Sequence, residues 1–150
     1  MSGEQRINEK LLSYWEEKKG SRLFPLESEI NPDELEQVWD SCFLVSVDAA
    51  HVAMNGSPYH YIYLGQSLVD AYGDDLGNRQ VCEQLIYPGN MSLIHHFDEI
   101  VTTKQPANDE SEFKNINNML IKYRSCMMPL GKDNSDEVAY IIGGMKWKAF

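Results

Sequence analysis

The chain has 150 residues, 43% of them hydrophobic, which suits one domain with one core and excludes wholesale disorder. Its net charge of −10 argues against nucleic acid, because phosphate binding needs clustered Lys and Arg. No apolar run approaches the roughly 18 to 20 residues that cross a bilayer, so no membrane segment is expected.

Ile7, Leu11, Tyr14 and Trp15 fall on one helical face among charged residues, so Glu4 to Lys19 reads as an amphipathic helix stopped near Gly20. The stripe must be covered, by the chain's own sheet or by a partner. Asn31-Pro32-Asp33-Glu34 is a strong helix start: Asn31 caps, Pro32 suits the first position, and the acids favour the dipole. A short helix over Pro32 to Trp39 is expected.

Cys42 to Asp48 reads as a strand, Asn55 to Pro58 as a turn, and Tyr59 to Leu64 as a second strand. Alternation puts Tyr59, Tyr61 and Tyr63 on one face of it. Gly65, Gly73 and Gly77 then punctuate two short helices, Gln66 to Tyr72 and Asn78 to Ile86. Asn90 caps a longer helix running to Lys104. Three strands close the chain: polar Asn108 to Asn115, alternating Leu120 to Met128, and Val138 to Trp147. The last is apolar on both faces, as a central strand should be.

This order of elements resembles the PAS fold, which implies an α+β domain with a five-stranded antiparallel sheet in the order 2-1-5-4-3, helices on one face and an N-terminal flanking helix. Residues 1–40 would be the flanking segment and 41–150 the PAS-like domain. Shorter motifs are similar to those of small single-domain PAS proteins of alphaproteobacteria. They are Tyr14-Trp15, Leu23-Phe24-Pro25, Ile30-Asn31-Pro32, Tyr61-Ile62-Tyr63-Leu64-Gly65, and Tyr72-Gly73-Asp74-Asp75-Leu76-Gly77-Asn78-Arg79. Ile62 departs from that pattern, where a basic residue is expected.

The candidate chemistry is sparse. His95-His96 suggests haem, but Leu93, Ile94, Phe97, Ile100 and Val101 form the inward stripe of the helix. A wheel turns His95 about 160° from that stripe and His96 about 100° from it. A flavin-reactive thiol would have to be Cys82, near Asn78-Arg79 but out of the expected order. No cofactor and no metal site are therefore expected. Asp74-Asp75, Asp98-Glu99 and Asp109-Glu110 are sequence neighbours that point apart, so no catalytic dyad is expected and the chain does not read as an enzyme. The alternative is a small cone-like α+β enzyme using the same cavity.

Tyr63, Tyr72, Phe97, Tyr123 and Met127 are the candidate walls of a ligand pocket between the sheet and the longer helix. Ile7, Leu11, Tyr14 and Trp15 are the candidate contacts of a homodimer or a protein partner. Three cysteines without pairing or metal spacing, and an N-terminus without an apolar leader, suggest the cytoplasm. The function expected is a sensor or adaptor acting in signalling through protein contacts, with a small ligand as modulator.

Overall fold

The amphipathic stripe becomes α1 (Arg6–Lys19), and what it covers is the chain's own sheet. The computed structural model describes residues 6–36, 38–47, 59–72, 91–115, 117–133 and 135–150. The expected turn at 55–58, the helix at 78–86 and Cys82 lie outside them. Five strands, β1 (Cys42–Val47), β2 (Tyr59–Leu64), β3 (Ala107–Lys114), β4 (Leu120–Leu130) and β5 (Tyr140–Ala149), form one antiparallel sheet in the order β2-β1-β5-β4-β3. Between β2 and β3 come α2 (Gln66–Tyr72) and α3 (Met91–Thr103).

The strand expected to be central is central, with β1 on one side and β4 on the other. Ile141, Ile142 and Met145 are buried on its two faces. Between them stand Gly143 and Gly144, and each opens one face. A Cβ on Gly143 would run into the Phe43 ring; one on Gly144 would lie 3.2 Å from Leu11 Cδ2 and 3.3 Å from Ile7 Cγ2. Phe43 packs on α3 through Phe97, with ring centroids 6.2 Å apart. Gly143 therefore admits the core of the inner face, and Gly144 seats α1 on the outer face.

α1 is fixed at its far end by Trp15, whose indole N–H donates to the Pro129 carbonyl at 2.8 Å. Pro129 is tolerated in β4 because β3 pairs only as far as Met127, leaving that edge without a ladder to break. Beyond it, residues 25–27 lie alongside Gly131: the Gly131 amide donates to Pro25 O and the Glu27 amide to Gly131 O, both at 2.9 Å.

One expectation changes here. The helix expected over Pro32 to Trp39 is two 3-10 turns, Pro32–Leu35 and Trp39–Ser41. Asn31 caps the first as expected, accepting from the Asp33 amide at 3.0 Å. The second presses the Trp39 and Asp40 carbonyls against Gly65, where no Cβ fits. The apolar stripe of α1, for which the sequence leaves the chain's own sheet and a partner both open, lies in part on the chain's own sheet. Leu11 and Trp15 are buried, Ile7 lies against Gly144, and the Tyr14 hydroxyl donates to Glu34 Oε1 at 2.8 Å.

Cys42 and Cys126 lie on the outer face under α1, both opposite Gly144 in the ladder. Burial pushes the Cys42 thiol up to about 12 and the Cys126 thiol to about 11, so neither forms thiolate near neutrality. In a Cys82→Ser protein at pH 8, an aromatic disulfide reagent should label neither thiol until denaturant is added, and then both; prompt labelling of the folded protein would show that α1 does not stay seated. Gly143→Ala should lower urea stability by about 2–3 kcal/mol through overpacking on Phe43, and Gly144→Ala by less than about 1 kcal/mol, since its neighbours are flexible aliphatic ends. Equal losses would contradict this account.

Candidate functional site

β3 alternates in the usual way, and its inward positions include Asp109 and Phe113. A carboxylate on an inward face needs partners, because unpaired burial is costly. Asp109 is 5% exposed and has them. The Tyr123 hydroxyl of β4 donates to its Oδ2 at 2.5 Å, and His96 Nε2 of α3 stands 3.3 Å from its Oδ1. Next to it, Ser125 faces the same way from β4 as Asp109's ladder partner. Ser125 is 2% exposed and its hydroxyl has no hydrogen-bond partner. His96 Nδ1 also lacks one, with Glu99 Oε1 at 3.7 Å.

A second tyrosine–aspartate bond holds the other side of α3. The Tyr59 hydroxyl of β2 donates to Asp98 Oδ1 at 2.5 Å. Burial comes first among the causes that raise the Tyr59 pKa, so it stays a donor throughout the physiological range. Phe97, between Asp98 and His96, packs against Tyr59 at 5.1 Å and is fully buried. α3 is thus clamped to the sheet along both of its borders, and an apolar ridge fills the middle.

Of the five expected pocket residues, Phe97, Tyr123 and Met127 lie on this helix-covered face, all buried. Tyr63 does not. The pairing of β2 jumps from Val45↔Tyr61 to Leu44↔Tyr63, so Ile62 is an extra residue in a β-bulge. The bulge turns Tyr63 to the opposite face from Tyr61. There it stacks on Trp39 at 4.5 Å and donates to the Trp39 carbonyl at 2.9 Å. The side chain of Tyr72 lies outside the described residues. His95 is exposed and His96 sits on the border of the buried stripe, as the wheel indicates.

Asp109 was not among the expected site residues, because a polar strand reads as a solvated edge. Its signal was the period of two that puts it in phase with Phe113. Asp109 and Glu110 do point apart, so the convergence is across elements rather than between neighbours. A nucleophilic triad would require the serine hydroxyl bonded to the histidine. Ser125 Oγ and His96 Nδ1 make no such bond. Among the described residues no three His, Cys, Asp or Glu side chains are disposed to hold a metal ion, and no helix is long and apolar enough to cross a membrane.

No curated protein matches this sequence. Solved structures do match in fold. One, described as a light-oxygen-voltage domain studied with a flavin analogue, is 8% identical with a TM-score of 0.54, covering 77% of this chain and 80% of that one. The light-state LOV domain of the blue-light photoreceptor Aureochrome1 is 10% identical with a TM-score of 0.52, covering 76% and 85%. The LOV domain of the Erythrobacter litoralis EL346 blue-light activated histidine kinase is 10% identical with a TM-score of 0.51, covering 73% and 96%.

The expectation of no cofactor is corrected by this likeness, since the fold is shared with a light-oxygen-voltage domain described with a flavin analogue. A flat multi-ring group needs an open slot against the sheet. Over β1 and β5 that slot is taken by the Phe43 ring seated on Gly143, and the described residues of that half do not fit such a group. The fold is shared with these light-oxygen-voltage domains. A family model described as PAS domain matches residues 4–146, nearly the whole chain, and the protein belongs to that family.

Proposed function

We propose that the chain is a sensor module that reads a small ligand at the α3-covered face of its sheet and passes the change on by protein contact. The observation that carries this reading is the buried Asp109, tied to the sheet through Tyr123 and lying against α3 through His96, beside the unpartnered Ser125 hydroxyl. A buried hydroxyl without a partner costs about 1–3 kcal/mol, which a ligand group bonded to it would recover. A ligand that also donates to Asp109 competes with His96 and changes how α3 sits on the sheet. Its leverage is limited to its preference for one placement of α3 over the other.

The output runs through a partner protein, and the buried free thiols Cys42 and Cys126 support a reducing, cytoplasmic setting. Catalysis is the weaker reading, because Ser125 and His96 are not joined as nucleophile and base.

Native mass spectrometry and an absorption spectrum of the purified protein should show a retained small molecule. Ser125→Val and Asp109→Asn should each reduce its retention at least about tenfold, equivalent to roughly 1.4 kcal/mol. Retention unchanged by both substitutions, in protein of native circular dichroism, would remove the ligand from this face. Tyr123→Phe leaves Asp109 with one donor fewer and should lower stability by about 1–3 kcal/mol in urea unfolding. A loss below about 0.3 kcal/mol would mean that the bond contributes nothing net.

A further inference from the structure

The helical spacing of Lys10, Ser13, Tyr14 and Glu17 puts all four on one flank of α1, beside the stripe that seats the helix on the sheet. The 3-10 turn Pro32–Leu35 and the residues just after it face that flank. Between the two runs a groove of about 530 Å³, within the roughly 300–1,000 Å³ range of ligand sites. Leu35 and Val38 are its buried base, and Tyr14 is half-buried in its wall. The walls are joined through the Tyr14 hydroxyl, which donates to Glu34 Oε1 at 2.8 Å and accepts from the Asn31 amide at 2.9 Å. Lys18 stands over the Tyr14 ring at 5.4 Å, with its Nζ 3.2 Å from Glu34 Oε1.

Four carboxylates line the groove: Glu17 on the α1 side, and Asp33, Glu34 and Glu36 on the other. Glu34 is answered by Tyr14 and Lys18. Glu17, Asp33 and Glu36 are exposed and make no ion pair among the described residues. With Lys10 and Lys18 both counted in full, four carboxylates still face two ammonium groups. The surroundings have the same sign, because residues 1–40 hold 10 acidic and 5 basic side chains. Acidic side chains alone would mark a hydrated face. Here they stand on either side of an apolar base, which water does not serve well.

We infer that this groove docks a basic segment of a partner protein, with an apolar side chain on Leu35 and Val38 and flanking Lys or Arg side chains reaching Glu17 on one wall and Asp33 and Glu36 on the other. The inference rests on the reading of the chain as a module that works by protein contact. Charge complementarity selects the occupant. A basic segment is drawn in by the net field of the molecule and by the groove together, which steers encounter and makes it salt-dependent. A second copy of the chain suits the groove less well, since it brings a net charge of −10 to an acidic surface. The occupant would touch α1, which packs on Gly144 of β5 and is bonded through Trp15 to Pro129 of β4. The contact therefore bears on an element seated directly on the sheet.

The test uses the full chain and fluorescein-labelled peptides in anisotropy titrations. One peptide carries a leucine between two lysines in a Gly/Ser background; a second has serine for the leucine, and a third has glutamates for the lysines. The first should bind tightest, and its binding should weaken as salt rises. E17Q/E36Q should weaken it at least about threefold, whereas E110Q/E112Q, which removes the same charge from β3, should change it less than about 1.5-fold. Equal loss in the two variants would trace binding to net charge alone and overturn the inference. Equal binding of the leucine-free peptide would make the groove a site for any small polycation and also overturn it, as would binding of the glutamate peptide. Light scattering without peptide should give the monomer mass; a dimer abolished by E17Q/E36Q would assign the groove to a second copy, against the inference. Ligand retention is read in the same samples. If it persists while peptide binding is absent, the docking inference fails and the sensor reading stands.

Discussion

The fold depends on two side chains that are missing from the middle of β5. Gly143 and Gly144 lie where the inner and outer faces of the sheet are most crowded, and each face uses the space the other does not need. Phe43 fills the inner gap and carries Phe97, Tyr59 and Tyr61 with it. α1 fills the outer gap, and its approach buries Leu11, Cys42 and Cys126. A side chain at either position would separate layers that now touch. Close packing makes such changes felt, since a dense interior has little slack.

From that centre the two faces diverge in character. The inner face becomes polar toward β3 and β4, where Asp109, Tyr123 and Ser125 interrupt an apolar wall. Polar groups in such a place fix geometry strongly when satisfied and invite rearrangement when not. Here they are both: Asp109 holds its tyrosine, while Ser125 and one nitrogen of His96 lack partners. α3 lies over this mixture, held by Tyr59–Asp98 on its other border. One border is fastened by a full hydrogen bond and the other by a longer polar approach, so the second is the border expected to respond first. The outer face keeps its charges in water.

Much of the architecture was legible in the chain itself. Residues 59–64 and 66–72 form a strand and a helix with the bounds their punctuation indicates, and the double-sided apolar run after Val138 lies at the sheet's centre. What was not legible depends on partners distant in sequence. A period of two predicts the face of Tyr63 only if register is unbroken, and the bulge at Ile62 answers to β1 and Trp39. Asp109 reads as solvated until Tyr123 and His96 close on it from 14 and 13 residues away. The apolar stripe of α1 shows that something is covered but not whose surface it is. The facing of Arg124 and Lys146 does not exist until β4 and β5 are in register, because the two are 22 positions apart. Short motifs argue against a cofactor, whereas the fold is shared with a domain described with a flavin analogue.

The bulge in β2 has a consequence beyond the placing of one tyrosine. β2 and β3 are the two edges of the sheet, and an edge with free amides and carbonyls is a template for another chain. On β2 the extra residue breaks the regular spacing of those groups, and Ile62 stands half-exposed at the break. On β3 the outward positions carry Glu110, Glu112 and Lys114, which keep the edge charged and hydrated. Neither border therefore offers a clean track for edge-to-edge aggregation or strand exchange. A sheet with both borders blunted in this way can be left partly uncovered without becoming a seed for its own precipitation.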